Sequence, residues 1–105
     1  FKLLKSFGVD QIINYKEARL DSVLKDVDVV FDAVGGDTAK QAMNVLSKNG
    51  TLLSIVDDKP LKFSKGPNQK VIFYIVDMDA KELAKIGSWI DEGMLKPVID
   101  SVFDF

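Results

Sequence analysis

The sequence reads as an α/β domain, a mostly parallel sheet with helices on both faces. Two observations carry this reading. Strand-like β-branched and aromatic segments alternate with segments of helical spacing along almost the whole chain, and alternation at that spacing builds parallel sheets. The second observation is VDVVFDAVGG at residues 27–36. Its first half is a nearly continuous apolar run, as carried by a strand buried on both faces. Its second half is a small-residue turn, and Asp37 and Thr38 offer a helix cap before the periodic segment 39–46. A buried parallel strand entering a helix through a glycine turn is half of a βαβ unit, and ligands of open α/β sheets sit beyond the carboxyl ends of such strands. A ligand site is therefore expected at this turn.

FKLLKSFG at residues 1–8 has the spacing of a helix end, with Gly8 as its stop. QIINY (11–15) predicts a short strand ending at Tyr15, and Leu20, Val23 and Leu24 mark one face of a helix over 17–25. The helix over 37–47 carries a stripe of Ala39, Ala42, Met43 and Leu46, and Asn49-Gly50 ends it. TLLSIV (51–56) predicts the next strand. Residues 57–68 are irregular, with DDKP and KGPN as loop signals. KVIFYIV (70–76) predicts a further apolar strand. Asp79-Ala80 then caps a helix with Leu83, Ile86 and Ile90 on its apolar face and Trp89 beside them, closed by Glu92-Gly93. PVIDSVF (97–103) is expected to be a final extended segment near a sheet edge. The chain opens inside one helical pattern and stops at Phe105 inside an alternating one, so a piece of a longer protein is expected.

Composition narrows the function classes. A length of 105 residues suits one domain, and 29% charged residues with 47% apolar ones are ordinary for a folded protein. The net charge is −2 with no block of either sign, which argues against nucleic acid as a main partner. There is no cysteine and no histidine, so disulfides, thiolate metal sites and nucleophile–base pairs built on these residues are excluded. No apolar run approaches the ~20 residues of a membrane span. A cytoplasmic setting is the default expectation.

Taken together, FGVDQIINY (7–15), DVVFDAVGG (28–36), LSKNGTL (46–52) and the closing run 82–103 resemble the medium-chain dehydrogenase/reductase superfamily, in its zinc-free quinone oxidoreductase-like branch. The resemblance covers nearly the whole chain. It implies that this chain is the second half of a dinucleotide-binding (Rossmann) domain. The first two strands, the glycine-rich phosphate turn and a separate catalytic domain of that family are not represented in it. It further implies an NADPH-dependent oxidoreductase, with NADH as the alternative coenzyme. Hydride would pass to a small-molecule quinone, enone or other carbonyl compound, and alcohol dehydrogenase-like zinc enzymes stay open. Relatives pair through the sheet edge near residues 70–76, so a dimer is expected. The chain alone should be inactive and should bind coenzyme poorly.

The same resemblance assigns the cofactor-binding residues. Tyr15 would contact the 2′-phosphate of the adenosine ribose; an amphipathic tyrosine at a strand edge is the plainer reading. Val34, Gly35 and Gly36 would line the cofactor cleft; a turn needing positive φ is the plainer one. Ile55, Val56 and Val76, at the ends of their strands, would hold the nicotinamide carboxamide through backbone groups. Many relatives have a Gly-x-Pro turn after the first of these strands, where this chain has DDKP (57–60). No catalytic residue and no metal ligand are assigned.

Three other readings stay beside this one. Asp32, ending a buried strand with Lys96-Pro97 downstream, has the look of a response-regulator phosphoacceptor, but the acidic pair of such receivers is missing. Residues 27–30 and 46–53 also fit an S-adenosylmethionine-dependent methyltransferase pattern, which would end in an antiparallel hairpin rather than in a helix at 79–93. The last reading is a non-catalytic α/β dimerisation module. Trp89, Phe73, Tyr74 and Met78 are read as packing residues, and Lys59, Lys62, Lys65 and Lys70 as a solvated face.

Overall fold

The computed structural model describes residues 1–63 and 66–104. The chain falls into two compact units, Phe1–Ile75 and Val76–Phe105.

The first unit is built on a parallel sheet in the order β1-β2-β3, with β1 at Val27–Asp32, β2 at Leu46–Ser54 and β3 at Lys70–Phe73. The register sets Phe31 beside Leu53 and Leu53 beside Ile72. Successive side chains on a strand alternate between faces, so Val30, Leu52 and Val71 lie on one face. That face receives the helix α3, Gly36–Val45, whose Ala39, Ala42, Met43 and Val45 are buried. Ala42, Met43, Leu46 and Leu52 form the core, with Val30 and Val71 packed against it. Burying a Leu or Met side chain contributes about 1.5–3 kcal/mol, and this small cluster is the main apolar burial in the unit. On the opposite face Val29 and Phe31 remain 71% and 63% exposed. Within this unit the helix layer thus lies on one face, where the alternation predicts two.

Pairing along β2 is interrupted. It jumps from Val27↔Leu46 to Val29↔Thr51, so residues 47–50 bulge out of register. Gly50 permits this, because a Cβ there would lie 2.7 Å from the Leu46 side chain and 3.0 Å from the Val27 carbonyl oxygen. The Asn49-Gly50 break is real, but the strand begins before it, and α3 ends at Val45.

The N-terminal helix α1, Lys2–Ser6, is followed by Gly8 at φ 76°, as its stop signal requires. No strand forms at residues 11–15. Asn14 folds that stretch into a turn instead: its carbonyl accepts from the Glu17 and Ala18 amides, and its side chain from the Lys16 amide. The following helix shrinks to α2, Leu20–Val23, because both flanking residues, Arg19 and Leu24, are extended. Polar contacts tie α2 to α3. The Leu20 amide donates to Gln41 Oε1 at 2.8 Å, and Asn44 Nδ2 to Asp21 Oδ2 at 3.0 Å. The Arg19 guanidinium grips Asp21 at 3.0 and 3.1 Å.

Residues 59–63 form a 3₁₀ turn with Pro60 buried. The loop signal at Lys65 lies outside the described residues, as does Phe105. β3 ends at Phe73, short of the predicted 76, because its partner β2 ends at Ser54; the Tyr74 amide donates to the Ser54 carbonyl as the last rung. In the second unit, α4 spans Ala80–Asp91, with the Asp79 side chain accepting from the Lys81 amide at 2.8 Å. Gly93 follows at φ 74°. Lys85 Nζ stands 5.3 Å from the Trp89 ring centre. Residues 97–104 form no strand, for they have no ladder partner.

Two outcomes follow from this packing. Leu52→Ala empties the centre of the core and should cost about 3 kcal/mol in urea unfolding, whereas Val29→Ala on the open face should cost less than about 0.5 kcal/mol. Hydrogen bonds from Arg19 and then Asn44 hold the Asp21 carboxyl below its ordinary value of 3.8. The contribution of this cluster is therefore complete above that value and is lost as pH falls through the lowered one. Arg19→Ala should move the Asp21 titration back toward 3.8, read by NMR of the carboxyl carbon.

Candidate functional site

The glycine turn at the carboxyl end of β1 is organised by a buried carboxylate. Asp32 is 5% exposed. Its Oδ1 accepts from the amides of Val34 (3.1 Å) and Gly35 (2.8 Å), and its Oδ2 accepts from the Ser54 hydroxyl (2.8 Å). The Ser54 oxygen in turn accepts from the Val56 amide at 3.3 Å. The backbone joins the same two strand ends, since the Ile55 amide donates to the Asp32 carbonyl at 3.0 Å. A buried carboxylate left without donors is costly. Here both oxygens are used, and no buried side-chain polar atom lacks a partner among the described residues.

Gly36 follows at φ 60°, where an L-residue is strained by about 1–2 kcal/mol, and Gly35 stands at φ 75° and ψ −164°, a region essentially only glycine occupies. Gly35 meets a second constraint: a Cβ on it would come within 2.9 Å of Val56 Cγ1 and 3.2 Å of Asp57 Oδ2. The turn therefore rests directly on the end of β2. Gly36 is different, with nothing within 4 Å of an added Cβ, and Val34 is exposed. Val34 and Gly36 thus present exposed backbone at the strand end, while Gly35 between them is buried against Val56.

The predicted site residues divide accordingly. Val34, Gly35, Gly36, Ile55 and Val56 come together at the carboxyl ends of β1 and β2. Tyr15 is 74% exposed and sits in the turn made by Asn14, not at the end of a strand. Val76 follows β3 at a distance rather than ending it. It belongs to the second unit, where it lines an open hollow of about 500 Å³ with Met78, Leu83 and Ile86. In the DDKP segment, Asp57 accepts from the Lys59 amide at 2.9 Å. Asp32 is not presented as a phosphoacceptor, because its oxygens are occupied inside the fold. Ser54 escaped sequence reasoning. The available signal was its position in the alternation, on the inward face and in register with Asp32.

The arrangement offers backbone groups and shape, not acid–base chemistry. The chain has no histidine and no cysteine, and the described residues bring together no group of three or more acidic side chains that could hold a metal ion.

A parallel sheet with a helix entered through a glycine turn is an α/β arrangement, and ligands of such open sheets sit beyond the carboxyl ends of the strands. The chain matches the family described as zinc-binding dehydrogenase over residues 7–105. It belongs to that family, within the medium-chain dehydrogenase/reductase superfamily. It is similar to the NADPH-dependent alkenal/one oxidoreductase, chloroplastic, of Arabidopsis thaliana, 27% identical over 94% of this chain and 23% of that protein. It is also similar to the 2-methylene-furan-3-one reductase of Solanum lycopersicum, at 28% over the same shares. The solved quinone oxidoreductase of Coxiella burnetii superposes with a TM-score of 0.76 at 27% identity, over 90% of this chain and 31% of that one. The fold is thus a partial Rossmann-like one, and the chain spans about a quarter of the length of the curated relatives named here. No helix among the described residues is long and apolar enough to cross a membrane.

The two glycines should respond differently to a side chain. Gly36→Ala should lose about 1 kcal/mol, from backbone strain alone. Gly35→Ala adds a clash with Val56 and should lose about 2–4 kcal/mol, part of it recovered by Val56→Ala in the same chain. Thermal unfolding of the three variants checks this order.

Proposed function

We propose that this chain is the second half of the coenzyme-binding domain of an NADPH-dependent oxidoreductase. The intact enzyme would pass hydride to a small quinone, enone or other carbonyl compound. The observation that carries this reading is the Asp32-held turn at Val34, Gly35 and Gly36, packed on Val56 at the carboxyl ends of β1 and β2, in a chain of this family. The printed names of its relatives, an NADPH-dependent alkenal/one oxidoreductase and a quinone oxidoreductase, support the choice of coenzyme and acceptor. When bound, the nicotinamide supplies the hydride, and the protein's part is to orient it and exclude water. Val34, Gly35 and Gly36 would form the floor under the ring. Ile55 and Val56 would offer backbone groups to the carboxamide. Tyr15, with its phenol free in solvent, would reach the 2′-phosphate and give the preference for NADPH over NADH. The chain contributes no catalytic acid in this reading. A dimer and a cytoplasmic setting belong to it as well, although the Arabidopsis relative is named as chloroplastic.

The methyltransferase alternative is disfavoured by the helix α4 at Ala80–Asp91, where an antiparallel hairpin would be needed. The deciding experiment is calorimetric titration with NADPH of this chain and of a chain extended upstream through the glycine-rich turn. In this reading the extended chain should bind and this one should bind weakly or not at all, since the pyrophosphate-binding helix N-terminus would belong to the added segment. Binding of S-adenosylmethionine instead would replace the reading with a methyltransferase; binding of neither would end it. In the extended chain, Tyr15→Phe should weaken NADPH about tenfold, from loss of one hydrogen bond to a charged group, and leave NADH unchanged.

A further inference from the structure

Asp32 and Ser54 are buried polar residues on neighbouring strands, and hydride transfer itself uses neither. Asp32 is 5% exposed and Ser54 1% exposed. Both point toward the α3 side of the sheet, where an apolar pair would serve packing at least as well. Their hydrogen bonds run in one chain instead. The Val34 and Gly35 amides donate to Asp32 Oδ1, the Ser54 hydroxyl donates to Asp32 Oδ2, and the Val56 amide donates to Ser54 Oγ. One end of this chain is the turn after β1 and the other is the Val56 amide, just beyond the end of β2. These are the two ledges that would face a coenzyme. Gly35 packs on Val56 from the other side, 2.9 Å from Val56 Cγ1 to an added Cβ, so the separation of the ledges is limited by contact and held by the hydrogen bonds.

We infer that Asp32 and Ser54 are a positioning couple that locks the two ledges at the spacing a nicotinamide ring requires. This rests on the coenzyme reading given above. Neither residue touches the ligand; each acts through the amides it holds. Removing the Ser54 hydroxyl releases the Val56 peptide and leaves Asp32 Oδ2 with no donor. Asp32→Asn keeps the Oδ1 acceptor for the turn but turns an NH₂ donor toward Ser54, so the hydroxyl loses its acceptor and its oxygen must accept from both the NH₂ and the Val56 amide, which weakens the hold on Val56.

The test uses Ser54→Ala, Asp32→Asn and the double variant, in this chain and in the upstream-extended one. Amide hydrogen exchange on this chain reads the lock without coenzyme. Ser54→Ala should speed exchange at Val56 while leaving the Leu52 amide in the strand core as protected as before. Unchanged exchange at Val56 in a folded variant overturns the inference. In the extended chain each single variant should raise the NADPH dissociation constant about fivefold to tenfold, with melting curves still cooperative. The double variant should be no worse than the more damaging single one, because both break the same chain of bonds. A folded variant that binds NADPH as tightly as the parent, or additive losses in the double variant, would reduce the pair to core packing and sink the inference. If the unsubstituted extended chain fails to bind NADPH, the coenzyme reading fails with it, and accelerated exchange at Val56 would then still mark the couple as the clamp of the turn.

Discussion

The structure depends on one buried carboxylate. Asp32 ends β1 on the side that α3 covers, and without its three donors it would be an unsatisfied polar group in a small core. With them, it converts a potential defect into the joint between a strand, a turn and a helix. The turn must form for the carboxylate to be satisfied, and the turn in turn sets where α3 begins. That helix supplies Ala42 and Met43 to the cluster with Leu46 and Leu52. Local hydrogen bonding and apolar burial therefore demand the same arrangement.

This joint also explains what kind of site the chain can offer. A carboxylate committed to holding backbone amides is not available for proton transfer, and no histidine or cysteine exists to take that part. What remains at the strand ends is peptide groups, two glycines at positive φ, apolar side chains and the Asp57 carboxylate beside Gly35. Such a surface selects a ligand by shape and by close approach of the backbone. It suits a coenzyme that brings its own chemistry better than a substrate that must be activated by side chains.

Legibility in the sequence followed the range of the interactions involved. The Asp79 cap, Gly8 after α1 and Gly93 after α4 are local devices, and each could be read from its neighbours. The turn at residues 33–36 was legible for the same reason. Strand limits were not. QIINY has strand composition, but Asn14 can satisfy three amides locally and no partner strand lies beside it. KVIFYIV stays apolar to residue 76, while its ladder stops where β2 stops. The bulge at residues 47–50 was half visible, since Asn49-Gly50 signalled a break but not that Leu46 would pair before it.

The sequence by itself determined the α/β class, the order of the elements around α3, and the lack of any histidine or cysteine side chain, because these follow from periodicity, turn residues and composition. Only the tertiary structure decided which polar residues matter. Ser54 looks like any serine in a half-alternating strand until the parallel register places it beside Asp32. Tyr15 looks like a strand end until the Asn14 turn removes the strand. A hydrogen bond between residues 22 positions apart in sequence depends on how two strands are aligned, and that alignment is a property of the folded sheet rather than of either segment.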